Sequence, residues 1–259
     1  MGWTISIAAI LAAQGAPAAL APSGKWAVAY EPSECLLTRP FGSGDQAVTL
    51  GILRYPASSG GTVLLIGSGD KVGPRRGTGR ITVQPSGESF STDWAAAPRA
   101  GQGGSVTRID PAAAFWDALP RATGLIFEDH GGAPIQLPIG KLTSALSAYG
   151  ACNDDMLRRW GADPDAMIKV GPWITKWLNY NDYPDAAIRR RAEGRAVVLI
   201  AVDSEGRPTG CKAVKSSGDA DLDKASCAIA SKGARVPRNA DDRRIDQSFV
   251  LPVNWTLPR

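Results

Sequence analysis

From Lys25 to Leu137 glycine- and proline-containing turns cut the chain into short runs about every ten residues, a pattern of antiparallel strands joined by hairpins. The candidate strands are 26–30, 35–39, 48–55, 62–66, 80–84, 105–109, 125–128 and 135–137. The 29 glycines and 19 prolines in 259 residues argue against an all-helical bundle. Two helices are expected to interrupt or close this region. In one, Asp110 caps and Pro111 fills the first turn, carrying Phe115, Trp116 and Leu119 as far as Pro120. The other spans 140–160 with a break near Gly150.

Beyond a junction at 164–172 the pattern changes. Residues 173–193 read as helical apart from Asp182-Tyr183-Pro184, and Pro184 suits a helix start. The continuous apolar run within 195–202 is a buried strand, Asp203 to Gly206 a turn, and 208–215 its hairpin partner. A helix at 221–232 and a last strand at 247–257 follow. The expected fold class is α+β: a β-rich sandwich or barrel-like domain with a closing helix at 22–163, then a small α-β-β-α-β domain at 173–259. The halves differ in charge, with 14 basic and 14 acidic residues in 1–169 against 15 and 11 in 170–259. The run Arg189-Arg190-Arg191 lacks interleaved aromatics and reads as a solvated helix face, so no nucleic-acid partner is expected.

Residues 1–21 read as a secretory signal peptide, or a short anchor if left uncleaved. An apolar stretch from Trp3 to Ala13 precedes two small-x-small triplets, Ala16-Pro17-Ala18 and Ala19-Leu20-Ala21, with cleavage expected after Ala21. The expected location is the periplasm. The alternative is an inner-membrane anchor facing it, the only case in which membrane association is expected. In an oxidising compartment the four cysteines pair, and pairing within each half, Cys35 with Cys152 and Cys211 with Cys227, fits two domains best. With His130 as the sole histidine, neither a zinc cluster nor any other metal or cofactor is expected.

The C-terminal third resembles the TonB C-terminal domain of Gram-negative energy transducers. The residues that carry the likeness are Asp182-Tyr183-Pro184 with Ala187 and Arg190, Glu193-Gly194, and Val202 with Gly206. They continue through Ser216-Ser217-Gly218 with Leu222-Asp223 and Ala225, Arg235 with Pro237, and Val253, Trp255 and Leu257. A cysteine pair on the second strand and the next helix is also familiar in the family, and Cys211 with Cys227 matches it. The resemblance implies binding of an extended peptide, the TonB box of an outer-membrane transporter, by strand addition to a sheet edge. The expected partner-binding residues are Phe249, Leu251, Val253, Asn254 and Trp255 on the last strand, where Pro252 favours an edge position. The partner is then a protein or peptide, with a homodimer as a further possibility.

The expected function is an energy-transducer-like envelope component supporting transmembrane transport. The alternative is a soluble periplasmic adaptor with the same fold and no energy coupling. Residues 22–163 depart from the family pattern, since a compact domain stands where transducers carry a long Pro-rich linker. Through Trp26…Cys35-x-x-x-Arg39 and Leu137-Pro138-Ile139-Gly140 this domain is loosely similar to uncharacterised or invasion-associated periplasmic β-rich modules.

Enzyme readings fail their context tests, so no catalytic residue is expected. Gly67-Ser68-Gly69 is followed by Pro74, Gly77 and Gly79 where a dinucleotide fold needs a helix. His130-Gly131-Gly132 has no Gly-x-Ser-x-Gly elbow to serve. Glu128-Asp129 and Asp154-Asp155 are adjacent pairs whose members point different ways.

Overall fold

The computed structural model describes residues 19–58, 60–67, 75–99, 103–169, 182–232 and 247–257. Nine strands form one antiparallel sheet: β1 (Ala27–Glu31), β2 (Glu34–Phe41), β3 (Val48–Leu53), β4 (Thr62–Gly67), β5 (Arg75–Gln84), β6 (Ser89–Pro98), β7 (Ser105–Pro111), β8 (Gly124–Glu128) and β9 (Ile135–Leu137). Their order is β1-β2-β3-β4-β7-β6-β5-β8-β9. The sheet curls, and residues 19–23 lie between its distant strands. Leu20 N–H donates to Gln136 O of β9 at 2.9 Å, while Gly42 N–H donates to Ala21 O at 2.9 Å and Ser23 N–H to Pro40 O at 3.0 Å. Leu37, Phe41, Leu50, Ile52, Ile81 and Leu125 are fully buried in the resulting core.

Two helices pack on this sheet. Helix α1 (Ala113–Ala118) buries Phe115 and Trp116. Helix α2 (Thr143–Trp160) buries Tyr149, Cys152, Met156 and Trp160 along one face at helical spacing. It ends where Gly161 takes φ +87° and donates its N–H back to Arg158 O and Leu157 O. The Cys35–Cys152 disulfide fastens α2 to β2 across 117 residues of chain. The residues behind the loose N-terminal likeness meet in the structure. Arg39 Nη1 (2.7 Å) and Trp26 Nε1 (3.2 Å) both donate to Ile139 O, and the Arg39 guanidinium lies 5.9 Å from the Trp26 ring centre.

Three expectations are corrected here. Strand β6 has no counterpart among the expected strands: Asp93, the Ala95–Ala97 run and Pro98 offset the strand preference of Phe90, Thr92 and Trp94, and pairing with β5 and β7 makes it a strand. Asp110 and Pro111 belong to β7 rather than to a helix start, because Asp110 Oδ1 accepts from Thr62 Oγ1 at 2.7 Å and Ala112 precedes α1 without a side-chain cap. Helix α2 continues through Gly150, since its buried face on either side supplies more than the roughly 1 kcal/mol that a helical glycine costs.

The second sheet comprises β10 (Gly194–Val202), β11 (Pro208–Lys215) and β12 (Gln247–Trp255), antiparallel in the order β11-β10-β12, with α3 (Asp185–Arg189) and α4 (Ala220–Ser231). Residues 173–181 of the expected first helix lie outside the described residues, as do Ser68 and Gly69 of the glycine-rich turn. Mixed α and β structure with strands dominant is therefore the fold class. Val198, Ile200, Phe249, Leu251, Val253 and Trp255 form a second core with Ala187, Leu222 and Ile229. On the opposite face Val197, Leu199 and Val250 join the core of the nine-stranded sheet.

Candidate functional site

Strand β12 is placed by its own alternation. Phe249, Leu251, Val253 and Trp255 are at most 5% exposed, with their side chains in the second core. Trp255 Nε1 donates to Ser226 Oγ at 2.9 Å, and Ser226 Oγ in turn donates to Leu222 O at 2.8 Å. Of the five residues expected to bind a partner, these four therefore hold the strand, and Asn254 alone is exposed.

The backbone gives the site its direction. Ile168 N–H donates to Ser248 O at 2.7 Å, so the main chain of Ser248 points away from β10. Strand alternation turns Val250, Pro252 and Asn254 the same way, while Leu251 and Val253 face β10. Pro252, which has no N–H, thus sits where no internal ladder bond is lost. This outward edge is covered at its start, where Met167 bridges Ser248 and Val250 is fully buried. It opens at Pro252 and Asn254. Sequence reading missed the contact of Met167 and Ile168 with Ser248; periodicity has no signal for an isolated parallel bridge.

Local hydrogen bonds fix the other elements of this sheet. The β10–β11 hairpin turns at Asp203, whose Oδ1 accepts from the N–H groups of Glu205 (2.9 Å) and Arg207 (2.8 Å), with Gly206 at φ +80°. Backbone and side-chain bonds from Arg207 hold the Asp203 carboxyl below its usual range. Asp219 caps α4 through Asp221 N–H (3.0 Å) and Leu222 N–H (3.2 Å), and its bond to Arg190 (2.7 Å) depresses its pKa. Asp223 accepts from Ser216 Oγ at 2.6 Å and Ser217 N–H at 2.7 Å, fixing the loop before that helix. The Cys211–Cys227 disulfide joins β11 to α4.

Two polar contacts tie this sheet to the larger one. Lys215 pairs with Glu34, and the Arg195 guanidinium lies 5.1 Å from the Tyr55 ring centre. Burial pushes the Tyr55 hydroxyl up to about 12, against the opposing pull of Arg195.

The residues tested for enzyme chemistry lie apart from this edge. His130 Nε2 shares a hydrogen bond with Thr92 Oγ1 at 2.8 Å, and burial lowers its pKa to about 4. Asp155 pairs with Arg159 at 3.2 Å on an exposed face of α2. Among the described residues no group of three His, Cys, Asp or Glu side chains could hold a metal ion. No described helix is long and apolar enough to cross a membrane.

Residues 179–257 match the family described as Gram-negative bacterial TonB protein C-terminal. The Protein TonB of Xanthomonas campestris pv. campestris strain B100 is 30% identical over 83 residues, which is 32% of this chain and 37% of that protein. The Protein TonB of strain ATCC 33913 matches to the same extent, 30% over 83 residues. The match thus spans little more than a third of these relatives' own length. No solved structure matches. The C-terminal third of the chain carries a TonB C-terminal domain.

Proposed function

We propose that this protein works in the cell envelope as a TonB-like binding component, exported to the periplasm, whose 173–259 region captures an extended segment of an outer-membrane transporter by strand addition. Residues 22–163 are the β-rich unit that carries this module. The observation behind the reading is the outward edge of β12, where Asn254 is exposed and Pro252 has its missing donor turned away from β10. An added strand gains main-chain hydrogen bonds there without opening the β10–β12 ladder. Because the Ile168 bond and burial of Val250 close the first half of the edge, the partner adds alongside Pro252 to Leu257. Phe249, Leu251, Val253 and Trp255 act by anchoring the strand, and Asn254 faces the partner.

A photoreactive side chain at Asn254, compared with one at exposed Lys212 on the opposite strand β11, tests this in intact envelopes. Adducts with a transporter from position 254 and none from 212 are expected. Adducts from 212 alone would reverse the assignment.

The second reading is an adaptor without energy coupling. What favours it is the packing of Val197, Leu199 and Val250 against the larger sheet, which fixes the module to a folded body where a transducer has a long linker. Recovery of the protein with soluble periplasmic contents, apart from inner-membrane motor proteins, would decide for the adaptor.

A further inference from the structure

The two small-x-small triplets near the start of the chain offer a leader peptidase two cuts, and the fold distinguishes their products. A cut after Ala21 leaves a chain starting at Pro22. A cut after Ala18 leaves one starting at Ala19. We propose that the leader is removed between Ala18 and Ala19, and that the new first residues close the curled sheet. The inference rests on the exported reading above.

Three observations carry it. Ala19 bridges Gln136 in parallel, Leu20 N–H donates to Gln136 O at 2.9 Å, and Ala21 O accepts from Gly42 N–H at 2.9 Å. Leu20 is also partly buried against the main core. Loss of 19–21 would remove all of these and uncover an edge of the three-residue strand β9. The chemistry of the two bonds points the same way. The bond after Ala21 is an Ala–Pro tertiary amide, with a ring carbon in place of the amide proton and a crowded preceding residue. In the Ala16-Pro17-Ala18 triplet proline takes the unselected middle place.

The third observation concerns the product. Water adds across the Ala18–Ala19 amide, Ala18 departs with the new carboxylate, and the α-amine of Ala19 takes up a proton. Ala19 is exposed, so this ammonium stays solvated and no buried charge is created. The leader released has 18 residues, within the usual range of about 15–30.

The test is N-terminal sequencing and intact mass of the full-length gene product recovered from the envelope of a Gram-negative host. A start at Ala-Leu-Ala-Pro is expected. A start at Pro-Ser-Gly-Lys, or a chain retaining Met1 in the inner membrane, overturns the inference while leaving export standing; a chain retaining Met1 and found only in the cytoplasm overturns export and the inference with it. Ala18→Tyr is expected to abolish cleavage at this bond and Ala21→Tyr to leave it unchanged, the reverse result counting against the assignment. A chain made to start at Pro22 is expected to melt several degrees below one starting at Ala19, and equal melting would refute the closing role.

Discussion

Trp255 meets Tyr183 edge-on with 5.0 Å between ring centres while its indole N–H bonds Ser226, so one side chain links β12, α4 and the segment before α3. Trp255→Ala is expected to cost about 3–5 kcal/mol, and Trp255→Phe only about 1 beyond any lost packing, because Ser226 keeps its bond to Leu222 O. Urea denaturation of the two variants checks this. His130 gives a second test at this scale. Its pKa falls from 6.5 to about 4 through burial, so the unfolded chain binds more protons between those values. The contribution of neutral His130 is present in full above pH 6.5 and is lost as pH falls toward about 4. An NMR titration of this single imidazole should show a midpoint near 4, and His130→Gln should flatten that part of the stability profile. At this scale the motif residues were legible because punctuation is local. Pro184, Gly206 and Asp223 each act on backbone within a few residues. The Arg195–Tyr55 contact crosses 140 residues of chain and left no local mark.

Among elements, the two disulfides close very different loops, with separations of 117 and 16 residues. In the chain-entropy description the first contributes about 5 kcal/mol and the second about 3. Replacing Cys35 and Cys152 by serine should therefore lower stability more than replacing Cys211 and Cys227, as read by denaturant midpoints. The pairing was legible from two cysteines in each half of the chain. Strand β6 was not legible, since Ser89 to Pro98 earns its conformation from two neighbours rather than from its own residues. For the same reason Asp110 looked like a helix cap; only the fold reveals that Thr62 holds its carboxylate. By contrast, the strands of the second sheet matched their expected spans closely, because a continuous apolar run such as Ala-Val-Val-Leu-Ile-Ala-Val in β10 admits few alternatives.

For the whole molecule, that same run has a further meaning. A strand apolar on both sides needs cover on both faces: α3 and α4 supply one, and the nine-stranded sheet supplies the other. Leu199→Asp would place a carboxylate in that second interface and should destabilise the protein by at least about 3 kcal/mol. If the sheets were independent, calorimetry of that variant would instead show the larger one melting unchanged. At the outward edge of β12 the proposed partner adds its strand. Asn254→Pro removes one outward donor and no ladder bond to β10, whereas proline at Val253 would break the ladder itself. Calorimetric titration of the full chain with an extended N-terminal segment of an outer-membrane transporter should show Asn254→Pro weakening binding about tenfold or more, with the melting temperature held. Unchanged affinity in that variant would contradict strand addition at this edge.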